Sequence, residues 1–202
     1  MPTKRKNTGA RQKQIIVAAG SLISKYGSEH LTVRRIAEEV GISEAAIYRH
    51  FKNKKAILSF LLKHIDEVLN EDIDREILNN ESITLEAIDR IVLSYFSIVG
   101  MGKGVSWQVV AEVISFGDRL LNQQAFRMIG SYITHLEALL AKGVRDGALR
   151  KDININASAT ILFSMIQGLV NLWSLSNGTL KLVETYTPLW RVYRETIANT
   201  ES

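Results

Sequence analysis

The side chains best suited to chemistry in this chain lie between His30 and Lys54, in the run HLTVRRIAEEVGISEAAIYRHFKNK. Arg34, Arg35 and Arg49 carry guanidinium groups, which can donate two parallel hydrogen bonds to O6 and N7 of guanine. Lys54 is the first residue of a predicted helix, and a cation at this end of a helix is unfavourable because it opposes the helix dipole. A phosphate bound at the same place would offset this cost. These residue types favour recognition of a polyanion over the making or breaking of covalent bonds.

The spacing of the same run predicts two helices joined by a tight turn. Thr32 is a suitable N-cap, Gly41 suits a turn with positive φ, and Ser43 can cap the second helix. The apolar residues recur with helical spacing and predict the inward faces of the two helices: Val33, Ile36, Ala37, Val40, Ala46, Ile47 and Phe51. A helical pair without a binding role would show the same pattern, so the charge of the surrounding chain has to be considered.

Charge is divided unevenly along the chain. Residues 1–55 contain 12 Lys and Arg against 4 Asp and Glu, whereas residues 56–202 contain 13 against 17. Solubility requires net charge but does not require that it be concentrated at one end. A basic head on an acidic body therefore favours binding of a polyanion by the head, over the alternative of an ordinary solvated Lys/Arg face.

Composition excludes several other classes of function. The chain has no cysteine, and its four histidines are far apart with no metal-ligand spacing. It has no HExxH motif, and no predicted strand precedes the glycines between residues 100 and 104. We therefore expect no enzyme activity, no metal and no cofactor. No signal peptide and no uninterrupted apolar span of membrane length is found, so a cytoplasmic protein without a membrane partner is expected.

The whole chain is predicted to be all-α. Prolines occur only at positions 2 and 188, and long segments between them show a helical period. Nine helices are expected, three in a DNA-binding domain over residues 1–53 and six in a ligand-binding and dimerisation domain over residues 54–202. The first helix is expected at about residues 12–26, after a flexible basic arm over residues 1–10. Residues 105–116 fit a strand or a helix, and the lack of a partner strand favours a helix.

The run RQKQIIVAAGSLISKYGSEHLTVRRIAEEVGISEAAIYRHFKNKKAIL resembles the DNA-binding domain of the tetracycline-repressor (TetR) family of regulators. The resemblance covers about the first quarter of the chain and implies an all-α homodimer with a ligand pocket in its body. It departs from the family at Ala45-Ala46, where many members have glycine or threonine, and at Lys55, where an acidic residue is common. These departures leave the operator sequence open.

The residues expected to contact DNA combine the exposed positions of the predicted motif with the contacts that the resemblance implies. Glu44 suits cytosine N4 but equally suits a helix N-terminus, and Tyr48 suits a phosphate oxygen or simple packing. Tyr48 and His50 also match the family's phosphate contacts. The predicted set is Thr32, Arg34, Arg35, Ser43, Glu44, Ala45, Tyr48, Arg49, His50 and Lys54.

The body offers candidates for the pocket and the dimer interface that the resemblance implies. The pocket candidates are Phe96, Met101, Trp107, Phe116, Tyr132, Phe163 and Gln167, although aromatic residues at helical spacing also fit an ordinary core. Glu112 is one of the few polar groups in the body that could orient a ligand. The last two helices offer Ile161, Met165, Gly168, Leu172, Leu189, Trp190, Tyr193 and Ile197 for a dimer interface. The expected function is a repressor that binds a palindromic operator as a homodimer and is released by a small, largely apolar effector. An architectural or division-control protein of the same fold, without small-molecule sensing, is the alternative.

Overall fold

The computed structural model describes residues 3–26, 30–100 and 106–199, with the side chains of these ranges except those of residues 3–8, 24 and 106–108. Within these residues the chain forms nine α-helices and a single isolated bridge between Leu149 and Ala198. The helices are α1 (Thr3–Tyr26), α2 (Val33–Val40), α3 (Glu44–Tyr48), α4 (Lys54–Asn79), α5 (Leu85–Gly100), α6 (Ser106–Phe116), α7 (Arg119–Arg145), α8 (Ile155–Leu175) and α9 (Leu182–Ile197). The prediction of an all-α chain with three helices followed by six is confirmed.

Two local expectations were ambiguous or wrong. The described part of residues 105–116 is helical, as α6, so the helical reading of its mixed pattern is confirmed. The start of α1 was predicted too late, because the structure begins this helix at Thr3 and not near residue 12. Most of the segment predicted as a flexible arm is thus helical. It contains Lys4, Arg5 and Lys6, residue types that favour helices, and it has no proline after position 2.

The chain divides into two compact units that do not follow a single cut in the sequence. The first contains residues 1–65 and 102–126, and the second contains residues 66–101 and 127–202. Helices α4 and α7 each contribute residues to both units. These units are defined by packing, whereas the boundary between residues 53 and 54 was predicted from function. That boundary stays a prediction.

The first unit has its core where α1 packs on α2 and α2 packs on α3. The side chains that meet there are almost fully buried: Ile15, Ile16, Ala19, Leu22, Ile23, Ile36, Ala37 and Ile47. Burial of each leucine or isoleucine side chain stabilises a fold by roughly 1.5–3 kcal/mol, before the loss of conformational entropy is subtracted. This core fixes the orientation of the short helices α2 and α3, which are too short to be stable alone.

The second unit is built on α5, α8 and α9, which pack against one another. Among the described helices, α8 is the one whose length and mean hydropathy of 1.3 would suffice to cross a membrane, a property that the sequence prediction missed. Length and hydropathy alone are weak evidence for a membrane span, and α8 packs against α5 and α9 along one face. Its inward residues Leu162, Ile166 and Leu169 are buried in the unit.

Candidate nucleic-acid interface

The turn between α2 and α3 is held by side-chain caps and a left-handed residue. Thr32 Oγ1 accepts a hydrogen bond from the Arg35 amide at 3.2 Å, and Ser43 Oγ accepts one from the Ala46 amide at 3.2 Å. Gly41 ends α2 with φ of 71°, a conformation that favours glycine because a Cβ would be strained there. The predicted caps and turn are confirmed, so the local geometry of the motif follows from its sequence.

The two helices separate apolar from polar residues. Ile36, Ala37 and Ile47 are buried, and Val33, Val40 and Ile42 are half-buried. Most of the residues predicted to contact DNA are exposed instead: Thr32, Arg34, Arg35, Ser43, Glu44, Ala45, Tyr48 and Arg49. The outward side of α2 and α3 thus offers hydrogen-bonding groups and a small side chain at Ala45. Contact of these residues with DNA stays a prediction.

Arg34 has a partner on its own helix. Its Nε lies 3.0 Å from Glu38 Oε1, and both side chains are more than half exposed. An exposed pair of this kind contributes little to stability and is easily exchanged for another acceptor. Because the guanidinium has five N–H donors, the pair leaves Arg34 able to bind a base or a phosphate.

His50 is half-buried just after α3, and its amide donates to the Ile47 carbonyl at 2.8 Å. Its Nδ1 is buried, and no described residue forms a hydrogen bond with it. A buried nitrogen cannot reach a phosphate oxygen outside the protein. Any phosphate contact by His50 therefore falls to Nε2.

Lys54 takes part in an interaction that the sequence did not predict. Its Nζ lies 2.6 Å from Oε1 of Glu112 in α6, and the Glu112 side chain is only 8% exposed. Glu112 was interpreted as one of few polar groups able to orient a ligand, whereas the structure pairs it with the start of α4. The signal in the sequence was an isolated acid among the valines of α6, but a partner 58 positions away cannot be identified from spacing.

Two further contacts link the same segments of the first unit. Lys55 Nζ lies 2.6 Å from Asp118 Oδ2, and the side chains of Ser59 and Gln124 are hydrogen-bonded at 2.7 Å. The Lys55 ammonium, together with the amide of Leu121, lowers the pKa of Asp118. The beginning of α4 is thus attached to α6 and to the beginning of α7 by charged and polar side chains.

The predicted ligand-binding residues are distributed over both units. Tyr132 and Phe163 contact each other in the second unit, with ring centroids 6.0 Å apart, and Phe96 is buried in that unit. Burial raises the pKa of Tyr132, so its hydroxyl stays protonated. Gln167 is half-buried on α8, whereas Phe116 belongs to the first unit and is 43% exposed. Met101 and the side chain of Trp107 lie outside the described residues, and ligand binding stays a prediction for all seven.

The predicted dimer residues on α8 and α9 divide into two groups. Ile161, Leu172 and Leu189 are 42–56% exposed, Gly168 is exposed and Met165 is half-buried. Trp190, Tyr193 and Ile197 are at most 7% exposed and lie in the core of their own chain, where an interface residue is not expected. The structure adds three exposed apolar residues that the sequence reasoning omitted: Leu175, Val183 and Val192. Because α9 has two apolar faces, its sequence alone did not show which face is buried.

Comparison with known protein families gives matches over most of the chain. Residues 15–59 match the family model described as bacterial regulatory proteins of the tetR family. Residues 61–195 match the model described as the C-terminal region of YsiA-like proteins. Together the two models cover both the helix-turn-helix and the helices that follow it.

Individual relatives align over nearly the full chain. A nucleoid occlusion factor, SlmA, of Alteromonas mediterranea is 27% identical over 201 residues, covering 96% of this chain and 98% of the relative. A fatty acid metabolism regulator protein of Bacillus subtilis is 25% identical over 84% of this chain and 87% of the relative. Among solved structures, the transcriptional regulator FadR from Bacillus subtilis in complex with stearoyl-CoA superposes with a TM-score of 0.76 at 22% identity. That match covers 92% of this chain and 98% of FadR and shows that the two proteins share a fold.

Proposed function

The chain belongs to the tetR family of bacterial regulatory proteins and is a DNA-binding transcriptional regulator; from that premise we propose that it is a ligand-responsive repressor. It binds a palindromic operator as a homodimer in the cytoplasm, and a small, largely apolar effector releases it. The DNA-binding function resides in residues 1–53, and ligand binding and dimerisation reside in residues 54–202.

One observation supports operator binding most directly. The caps at Thr32 and Ser43 and the left-handed turn at Gly41 present a polar, arginine-containing surface on α2 and α3. That surface belongs to the basic end of the chain, whose positive charge attracts duplex DNA without regard to sequence. Arg34 and Arg49 are the candidates for reading bases, because both are exposed and both can bind guanine with two hydrogen bonds.

Dimerisation is supported by the exposed apolar residues of the last two helices. Ile161, Leu172 and Leu175 are all more than half exposed, and they recur on α8 at spacings of 11 and 3 residues, close to whole helical turns. Clusters of exposed apolar side chains on a folded protein mark interaction surfaces. A two-fold dimer presents two recognition helices to two half-sites, which explains the expectation of a palindromic operator.

An apolar effector is supported by the character of the second unit. Phe96, Tyr132 and Phe163 supply aromatic surface, and Gln167 supplies one amide that can orient a ligand. The related fold of FadR was solved with stearoyl-CoA, a ligand with a long acyl chain. By the proposed mechanism, the dimer has two states, and in one of them the spacing of the two DNA-binding domains does not match adjacent major grooves. The effector binds more tightly to that state and so increases the fraction of protein that is not bound to DNA.

A second function is favoured by the relatives that are nucleoid occlusion factors, which align over nearly the whole chain. In this alternative the protein binds many dispersed chromosomal sites and acts on a protein partner in division control, without a small-molecule effector. The two functions differ in the number of genomic sites and in what changes the affinity for DNA.

The test begins with an unbiased selection of duplex DNA by the purified protein at moderate ionic strength. Recovery of a palindromic motif supports the regulator, and failure to prefer any duplex would overturn both functions. Native mass spectrometry then identifies co-purified small molecules, and their addition to the protein–operator complex should release the DNA. Dispersed sites with no small-molecule response would favour the division-control function.

A further inference from the structure

Glu112 is a buried carboxylate in an apolar part of α6. Val109, Val110 and Val113 around it on the helix are at most 6% exposed, and Glu112 itself is 6% exposed. Burying a carboxylate is unfavourable unless a cation accompanies it, and an apolar residue of similar size would usually be no less stable. Packing of α6 therefore does not account for a charged residue at this position.

The cation that accompanies Glu112 is Lys54, the first residue of α4. The distance between Lys54 Nζ and Glu112 Oε1 is 2.6 Å, and no other ion pair of Glu112 occurs among the described residues. The Lys54 side chain is 32% exposed, so its ammonium is held by the interior on one side and open to the solvent on the other. The same ammonium is the predicted contact to a DNA phosphate.

We propose that Glu112 is an internal competitor of DNA phosphate for the Lys54 ammonium, and that it lowers the affinity of the protein for every duplex. This inference rests on the proposed function, because it takes Lys54 as a phosphate contact. Glu112 is a restraining residue that acts through Lys54 and does not touch DNA itself.

Two effects make the carboxylate a competitor and not a helper. A phosphate bound to Lys54 lies well within the screening length of about 8–10 Å from Glu112, so the two anions repel each other. If Lys54 turns towards the phosphate, Glu112 loses its counter-charge while buried, which is unfavourable. For Glu112 to strengthen DNA binding instead, the free energy gained by holding the Lys54 side chain in place would have to exceed the cost of these two effects.

The arrangement also gives α6 an influence on DNA binding. Any change that brings Glu112 closer to Lys54 strengthens the competitor, and any change that withdraws it releases the ammonium. Lys55 and Asp118 form a second pair nearby, but Asp118 also accepts hydrogen bonds from the amides of Leu120 and Leu121 at 3.0 Å. Asp118 therefore also caps α7, so replacing it would change more than its ion pair. Glu112 is the better residue to test because Lys54 is its ion-pair partner among the described residues.

The test compares Glu112→Gln with the wild-type protein, using the duplex recovered by selection and a shuffled duplex of equal length. Glutamine keeps the size of the side chain and removes the charge. We expect Glu112→Gln to bind both duplexes several-fold more tightly and by the same factor, with a steeper dependence on salt. Glu184→Gln, in an exposed pair with Lys181 on α9, makes the same change in total charge and should leave the affinity unchanged.

The double variant Lys54→Met/Glu112→Gln tests whether the effect passes through Lys54. It avoids the single Lys54→Met variant, in which a buried Glu112 would be left without a cation. We expect the double variant to lose all of the affinity that Glu112→Gln gains and to bind DNA more weakly than the wild type. The slope of log affinity against log salt concentration should be smaller than that of Glu112→Gln by about the contribution of one phosphate contact.

The outcomes separate the inference from the proposed function. If no variant prefers any duplex, the proposed function fails. If the wild type binds DNA but Glu112→Gln binds equally or more weakly, competition is wrong and the regulator stands. If Glu112→Gln gains affinity and the double variant retains that gain, Lys54 is not the group through which Glu112 acts, and the inference is overturned.

Discussion

Tyr186 of α9 donates a hydrogen bond to Asp89 of α5, with 2.8 Å between the phenolic oxygen and Oδ1. The phenol ring also packs against Phe96 and Trp190, with ring centroids 5.3 and 6.0 Å away. Burial, together with Asp89, raises the pKa of Tyr186, so the hydroxyl remains a donor at all ordinary pH values. This bond attaches the last helix to α5 in the second unit.

Replacing Tyr186 by phenylalanine tests the contribution of this bond. Tyr186→Phe keeps the ring contacts but leaves Asp89 without its donor, so we expect the free energy of unfolding to fall by about 1–2 kcal/mol. Urea unfolding followed by circular dichroism measures the change. Tyr48→Phe is the matched control, because Tyr48 is half-exposed and should not affect stability. Equal stability of Tyr186→Phe and wild type would show that the bond contributes nothing.

The conformation of Gly41 gives a second prediction. Its φ of 71° is strained for any residue with a Cβ, so Gly41→Ala should lower stability by about 1 kcal/mol. Gly130 lies inside α7 with open space where a Cβ would be placed, so Gly130→Ala should raise stability by up to about 1 kcal/mol. Opposite shifts in the two melting curves are the expected result. A stabilised Gly41→Ala variant would mean that the turn is not held in the left-handed region.

The local structure of the helix-turn-helix was predictable because short-range physics determines it. Thr32 and Ser43 accept hydrogen bonds from amides three residues later, and the Gly41 amide donates to carbonyls three and four residues earlier. Such short-range signals are visible in the sequence. The start of α1 was not predictable in the same way. A polar segment without proline has no clear signal that separates a helix from an unstructured arm.

Long-range pairing was the main part that the sequence did not reveal. Lys54 and Glu112 were both noticed, but for different roles, because their contact depends on how α4 packs against α6. The inward face of α9 was also missed. Trp190 and Leu189 are neighbours with large apolar side chains, yet Trp190 is buried and Leu189 is 42% exposed. Only the position of α5 and α8 decides between them.

The exposed apolar surface of α8 leads to a prediction about oligomeric state. Leu172 and Leu175 are 54% and 79% exposed, so an aspartate at either position should be tolerated by the isolated chain. At a dimer interface it would bury a charge, and we expect Leu172→Asp and Leu175→Asp to shift the protein towards monomer in sedimentation experiments. Leu78→Asp, at an 81% exposed position on α4, should leave the oligomeric state unchanged. Unaltered dimers in both α8 variants would move the interface elsewhere.

Arg49 gives a prediction about specificity. It is exposed directly after α3, and a guanidinium reading guanine there would be worth roughly 1–3 kcal/mol for the correct base. Arg49→Ala should therefore weaken binding to the selected duplex and relax the preference at one base position, which a second selection would reveal. Arg191→Ala removes an exposed arginine from α9 and serves as the control. Uniform weakening on every duplex would instead identify Arg49 as a phosphate contact.

Asp146 gives a prediction about pH. Its Oδ2 accepts a hydrogen bond from the Ile83 amide at 2.7 Å and lies 3.0 Å from Lys142 Nζ. These contacts, the amide first, hold the pKa of Asp146 below its ordinary value. A carboxyl with a lowered pKa in the folded state contributes stability above its unfolded pKa of about 3.9, and that contribution is lost as the pH falls through the lower, folded pKa.

Asp146→Asn isolates this contribution, because asparagine can still accept from the Ile83 amide but carries no charge and does not titrate. We expect the variant to be less stable than wild type near neutral pH. The difference should shrink from about pH 4 downward, since only the wild type loses a charge there. Urea unfolding at several pH values between about 3 and 7 measures the difference, with Glu71→Gln on the exposed surface of α4 as control. A difference that stays constant across that range would show that the stabilisation does not depend on the ionised carboxylate.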